Sequence, residues 1–134
     1  MTKNGKIYLI PMEIAENSHF AFSYLNILSE LDGLIAENLK TARRYLRKVG
    51  FVGDFDSWEM FELNKRTTSE ELLNIYQSMS GKNFGLMSES GCPGIADPGQ
   101  DIVKYAHTKE IQVIPLIGPS SIFMALMASG LNGQ

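Results

Sequence analysis

The chain has 134 residues, 44% of them hydrophobic and 20% charged, with a formal net charge of −3 at pH 7. That is one domain's worth of ordinary globular composition. Its overall acidity gives no global nucleic-acid signature. A single cysteine, Cys92, excludes an internal disulfide and an all-cysteine metal site, and His19 and His107 are the only histidines, so no metal is expected. No window approaches the ~18 uninterrupted apolar residues of a membrane span. The apolar run near the N-terminus is too short for a signal peptide, so no membrane association and a cytoplasmic location are expected.

Residues 6–10 (KIYLI) read as a buried strand closed by Pro11. Residues 19–31 carry Phe20, Tyr24, Ile27, Leu28 and Leu31 at helical spacing. A short strand follows at 33–36 (GLIA). Asn38 is placed to cap a helix over 39–49, which Gly50 stops. Residues 58–63 (WEMFEL) suggest a strand. Thr68 or Ser69 starts a helix to Met79, with Thr68 and Glu71 at capping-box spacing and Gly81 beyond its end. A strand at 84–87, a helix at 101–107 and a strand at 111–117 (IQVIPLI) come next. Gly118, Pro119, Ser120 and Ser121 open a final, very apolar helix to Ser129. Strand and helix thus alternate about five times. The expected fold class is α/β, a doubly wound, mostly parallel five-stranded sheet with helices on both faces, in a single domain over 1–134.

The densest turn chemistry lies between the fourth strand and the helix after it. There Gly91, Pro93, Gly94, Pro98 and Gly99 surround Ser88, Glu89, Ser90 and Asp97. The connection is longer than the usual two to six residues, at the strand end where parallel sheets bind ligands. It reads either as a ligand cradle or as a structural turn with Asp97 capping the next helix. Gly118 to Ser121 have the same two readings, amides and hydroxyls facing a ligand or plain helix capping. Lys40, Arg43, Arg44 and Arg47 put a basic stripe on one helix, either a phosphate contact or a solvated face. Glu37 ends the second strand, where it is a candidate catalytic carboxylate or a favourable charge for the helix that follows. Phe55, Trp58 and Phe61 read as core. The common nucleotide, hydrolase and zinc-protease signatures are absent.

These residues carry a family resemblance. LMSESGCPGIADPGQDIV resembles the V-S-D-A-G-T-P-G-I-S-D-P-G-x-x-L-V segment of the tetrapyrrole (class III) methylases, nearest to their small-subunit rRNA 2′-O-ribose methyltransferase branch. IQVIPLIGPSSIFMALMASGL is similar to that branch's V-V-P-x-P-G-P-S-A-x-x-A-L-x-A-S-G-L, and DGLIAENLKTARRYLRKVG to D-L-I-A-A-E-D-T-R-x-T-x-x-L-L-x-x-x-G-I. Order and spacing agree from Asp32 to Leu131. The chain departs from the pattern at the loop after Pro11, at Glu89 (Asp in the family), at Cys92 (Thr), and at Asn38 to Lys40, where the family has D-T-R.

The resemblance implies an S-adenosyl-L-methionine-dependent methyltransferase of two α/β domains, usually a homodimer, of which this chain matches the N-terminal half. It implies a cofactor site of Pro11, Ser88, Glu89, Ser90, Gly91, Ile95, Ala96, Asp97, Pro119, Ser120 and Ser121. It further implies Glu37 as proton acceptor, Lys40, Arg43, Arg44 and Arg47 as RNA contacts, and as substrate a cytidine 2′-hydroxyl in small-subunit rRNA. Methylation of a tetrapyrrole or another small acceptor, and a non-catalytic ligand-binding or assembly role, stay open beside it.

Overall fold

The two sequence periods settle into two packing faces of one sheet. The computed structural model describes residues 5–11, 24–87 and 99–116. In these, strands β1 (Lys6–Leu9), β2 (Gly33–Ala36), β3 (Glu59–Glu62), β4 (Asn83–Met87) and β5 (Gln112–Pro115) alternate with helices α1 (Leu25–Leu28), α2 (Leu39–Lys48), α3 (Ser69–Ser78) and α4 (Gly99–Thr108). A single 3₁₀ turn, Phe55–Ser57, precedes β3.

The strand order is β3-β2-β4-β1-β5. The expected sheet was mostly parallel; all four ladders are parallel. The register pairs Ile7 with Phe84 and Val113, and Ile35 with Leu86 and Phe61.

A parallel sheet buried on both faces needs near-continuous apolar strands. On one face Ile7, Leu9, Ile35, Phe84 and Leu86 pack with Ile75 and Met79 from α3 and its C-terminal end, and with Ile102, Val103 and Ala106 of α4. On the other, Tyr8, Ile10, Leu34, Ala36 and Met87 pack with Leu28 of α1 and Ala42, Tyr45 and Leu46 of α2. Alternate residues of each strand feed opposite layers, as the pleat requires. Phe84 is wholly buried, which is worth about 1.5–3 kcal/mol.

Element ends follow backbone bonding. The first strand stops at Leu9, although the Ile10 N–H still donates to the Leu86 carbonyl at 3.0 Å. The third narrows to Glu59–Glu62, and α4 starts at Gly99, two residues earlier than expected. Of the 19–31 helix, only Leu25–Leu28 is helical among the described residues. The 118–129 helix lies outside them. Thr68 caps α3 by accepting from the Glu71 N–H at 3.1 Å. Gly50 (φ 107°) and Gly81 (φ 71°) occupy left-handed backbone beyond α2 and α3. The turn into β5 instead uses Glu110 (φ 58°), which sequence pattern did not mark.

The N-terminal edge of the sheet is held by polar contacts. The Asp32 carboxylate accepts from the Asn83 N–H at 2.8 Å, and its carbonyl accepts from the Glu59 N–H at 3.0 Å. Lys82 forms an ion pair with Glu59, and its donated hydrogen bond holds the Glu59 carboxyl below the usual carboxylate range. A lowered folded-state value means this contribution is present above the ordinary glutamate pKa and fades as pH falls through the folded one. Both side chains are exposed enough that the pair is worth less than about 1 kcal/mol. Glu59→Gln should therefore lower the urea midpoint slightly at neutral pH and leave it unchanged in strong acid.

Gly33 marks a tighter constraint. A Cβ there would lie 2.1 Å from the Phe84 ring and 2.6 Å from the Glu59 carbonyl oxygen. Gly33→Ala should cost about 1–3 kcal/mol by overpacking, read as a lower denaturation midpoint.

Candidate functional site

Because every ladder is parallel, the C-terminal ends of all five strands lie along one edge. The connection from β2 runs outward through α2 to β3, whereas that from β4 runs the other way through α4, past β1, to β5. Neighbouring strands whose connections leave in opposite directions create a crevice, the usual ligand position in open α/β sheets. Here it lies between the ends of β2 and β4.

Glu37 stands there, half-buried. Its N–H donates to the Met87 carbonyl at 3.3 Å, and its own carbonyl accepts from Asn64 Nδ2 at 3.4 Å. Asn38 follows in extended conformation and caps α2, with Oδ1 accepting from the Thr41 N–H at 3.0 Å. Glu62 Oε2 accepts from the Leu39 N–H at 3.1 Å. Two first-turn amides of α2 are thus already satisfied from within the protein.

The turn after β3 is bound as firmly. The Asn64 N–H donates to Thr67 Oγ1 at 2.9 Å, the Arg66 N–H to Asn64 Oδ1 at 2.9 Å, and the Thr67 N–H to the Asn64 carbonyl at 3.0 Å. The Thr67 hydroxyl donates to the Glu62 carbonyl at 3.3 Å. Between this turn and the start of α2 lies a cleft of about 500 Å³ lined by Glu37, Asn38, Glu62, Asn64, Lys65 and Arg66.

Of the residues expected in a cofactor site, Pro11 is buried just beyond β1. Ser88, Glu89, Ser90, Gly91, Ile95, Ala96, Asp97, Pro119, Ser120 and Ser121 lie outside the described residues. The strand ends from which their segments follow are described. The Ile10 N–H bonds the Leu86 carbonyl at 3.0 Å, and the Leu116 N–H bonds the Leu9 carbonyl at 3.0 Å. The ends of β4, β1 and β5 are therefore immediate neighbours.

The basic stripe divides in two. Lys40 and Arg44 are exposed. Arg43 is half-buried, with Nη1 3.5 Å from the Met60 sulfur. Arg47 donates from Nη1 to the Phe51 carbonyl at 2.8 Å and lays its guanidinium 4.1 Å from the Phe55 ring centroid. Helical spacing placed these residues on one side of α2, but the aromatic loop after the helix takes up Arg47 for packing. Trp58, expected in the core, is buried and stacks on Phe51 at 5.1 Å, whereas Phe55 is half-buried. Sequence reasoning missed Glu62, Asn64, Lys65 and Arg66; the polar run N-K-R-T directly after a strand was the available signal. Among the described residues there is no group of three or more His, Cys, Asp or Glu that could hold a metal, and no helix long and apolar enough to cross a membrane.

No family model matches the chain. Curated proteins do. Ribosomal RNA small subunit methyltransferase I of Buchnera aphidicola is 30% identical over 128 residues, 95% of this chain and 44% of that protein. The protein of the same name from Halalkalibacterium halodurans is 31% identical over 127 residues, 95% of this chain and 43% of its own length. That from Leptospira biflexa is 26% identical over 131 residues, 97% and 52% respectively.

The chain is a relative of these methyltransferases. The similarity is consistent with the tetrapyrrole methylase resemblance seen in the three motifs. The chain spans about half the length of the curated relatives it matches.

Asn38 is positioned by its cap on α2. Asn38→Ala should lower stability by about 0.5–2 kcal/mol, measured by urea denaturation, whereas Asn38→Asp should keep most of it.

Proposed function

We propose that this chain is the N-terminal, cofactor-carrying domain of an S-adenosylmethionine-dependent methyltransferase that modifies small-subunit ribosomal RNA, at a cytidine 2′-hydroxyl. Assembly as a homodimer in the cytoplasm belongs to the same reading. One observation carries it, the division of labour along the sheet edge. The segments after β4, β1 and β5, which bear the motif residues, leave three adjacent strand ends. Glu37 and the basic part of α2 leave β2, on the far side of the crevice.

The residues present suit the cofactor. Pro11 closes β1 beside the end of β4, and the glycine-rich segment from Ser88 follows β4 directly. In that segment, Glu89, Ser90 and Asp97 supply acceptors for the amine and hydroxyl groups of such a molecule, and glycines permit close backbone approach. Ser120 and Ser121 add hydroxyls from the segment after β5. When bound, S-adenosylmethionine supplies an already activated methyl group, so the protein's main task is alignment, which can be worth about 7–11 kcal/mol.

A ribose hydroxyl must also lose its proton. Glu37 would accept it at a carboxylate oxygen, being the half-buried acid at the switch point. Its backbone is tied to Met87 and Asn64 on either side, which favours a fixed position for the base.

Calorimetric titration of S-adenosylmethionine and S-adenosylhomocysteine into the whole protein should show binding of both. Absence of binding would sink the proposal. With small-subunit rRNA as acceptor, Glu37→Gln should reduce kcat by about 10²–10⁴-fold while leaving the cofactor Kd unchanged.

A further inference from the structure

The cleft beside Glu37 has a charge pattern that the proposed reaction does not by itself explain. Its walls come from the start of α2 and from the turn after β3. Lys65 and Arg66 occupy the middle of that turn and are exposed. Among the described residues neither side chain has an ion-pair partner. Outside the cleft lining, Lys40 in the first turn of α2 and Arg44 four residues on share one helix face, both exposed. Two cations, Lys65 and Arg66, line the cleft on a chain whose net charge is −3.

The turn is also preorganised. Its backbone is fixed by the Asn64, Thr67 and Glu62 hydrogen bonds, and the Asn64 amide ties it to Glu37. A loop that merely connected β3 to α3 would not need to be anchored to the neighbouring strand's end. Two carboxylates, Glu37 and Glu62, line the same cleft. Their charge disfavours a phosphate beside them, whereas Lys65 and Arg66 favour one at the turn. A ligand with anions spaced along a chain and uncharged hydroxyl-bearing units between them fits this alternation.

We infer that Lys65 and Arg66, on the Asn64-anchored turn after β3, form a phosphate clamp that seats a single-stranded segment of the RNA substrate across the cleft, with its ribose edge toward Glu37. The clamp rests on the RNA-methyltransferase reading and assigns it a binding surface outside the motif segments. Lys40 and Arg44 continue the track along α2. The contacts are electrostatic and sequence-independent, so they position the strand and do not select the base.

The test is the salt dependence of RNA binding by the whole protein, using an unmodified small-subunit rRNA transcript. Each phosphate contact to a single strand contributes about −0.7 to the slope of log Kobs against log salt. The Lys65→Ala/Arg66→Ala variant should flatten that slope by about 1.4. Between about 50 and 200 mM salt it should accordingly lose roughly sevenfold less affinity than the parent. Lys65→Arg should keep the parental slope, and calorimetric affinity for S-adenosylhomocysteine should be the same in all three proteins, which also checks folding. A parental slope in the double variant, with cofactor binding intact, overturns the clamp and leaves the enzyme reading standing. If the parent binds the cofactor but not the transcript, the RNA reading and the clamp fall together.

Discussion

The architecture depends on β4. It is hydrogen-bonded on both edges, to β1 and to β2, and its last four residues are buried. Both helical layers close over it, with Phe84 and Leu86 facing one and Met87 the other. The chain reaches this strand only after building β1, β2 and β3, so the early strands flank a gap that β4 must fill. The connections before and after it, through α3 and α4, cover one face, while α1 and α2 cover the other. The crevice arises at its end because the connections leaving β2 and β4 run in opposite directions. Gly85 belongs to the same constraint, since a Cβ there would meet the Ile10 side chain at 2.6 Å. A larger residue there would require the Ile10, Leu31 and Leu34 side chains to shift.

From this follows a separation of tasks that a list of motifs does not reveal. In sequence, the segments after the first, fourth and fifth strands are far apart. In the sheet, their strands stand side by side. The second and third strands lie together on the other flank, and their ends share a hydrogen-bonded network linking Glu37, Asn38, Glu62 and Asn64. Glu37 stands at the boundary between the two flanks.

Much of the fold was legible because its signals are local. Strand 33–36, the Asn38 and Thr68 caps and the stops at Gly50 and Gly81 each rest on chemistry within a few residues. What was not legible depended on contacts distant in the chain. The strand order is decided by which apolar runs pair, and five similar runs do not disclose it. Arg47 looked like one more surface cation because its partners, Phe51 and Phe55, follow the helix in a loop with no periodic signal. Lys65 and Arg66 drew no attention because two charges in a turn are ordinary, and only the neighbouring strand's Glu37 makes their position significant.

The two edges of the sheet are bonded in different ways. At the N-terminal edge, Asp32, Glu59, Lys82 and Asn83 are joined by contacts that cross three strands, so a change at one position disturbs several. At the other edge, the turn after β3 is closed almost wholly by its own residues, from Glu62 to Thr67. Beyond these bonds it is tied to the neighbouring strand's end by Asn64 to the Glu37 carbonyl and by Glu62 to the Leu39 N–H, so it can be exchanged without reregistering the sheet. Replacing those few residues would therefore reshape the cleft beside Glu37 while the parallel ladders of the sheet stay as they are.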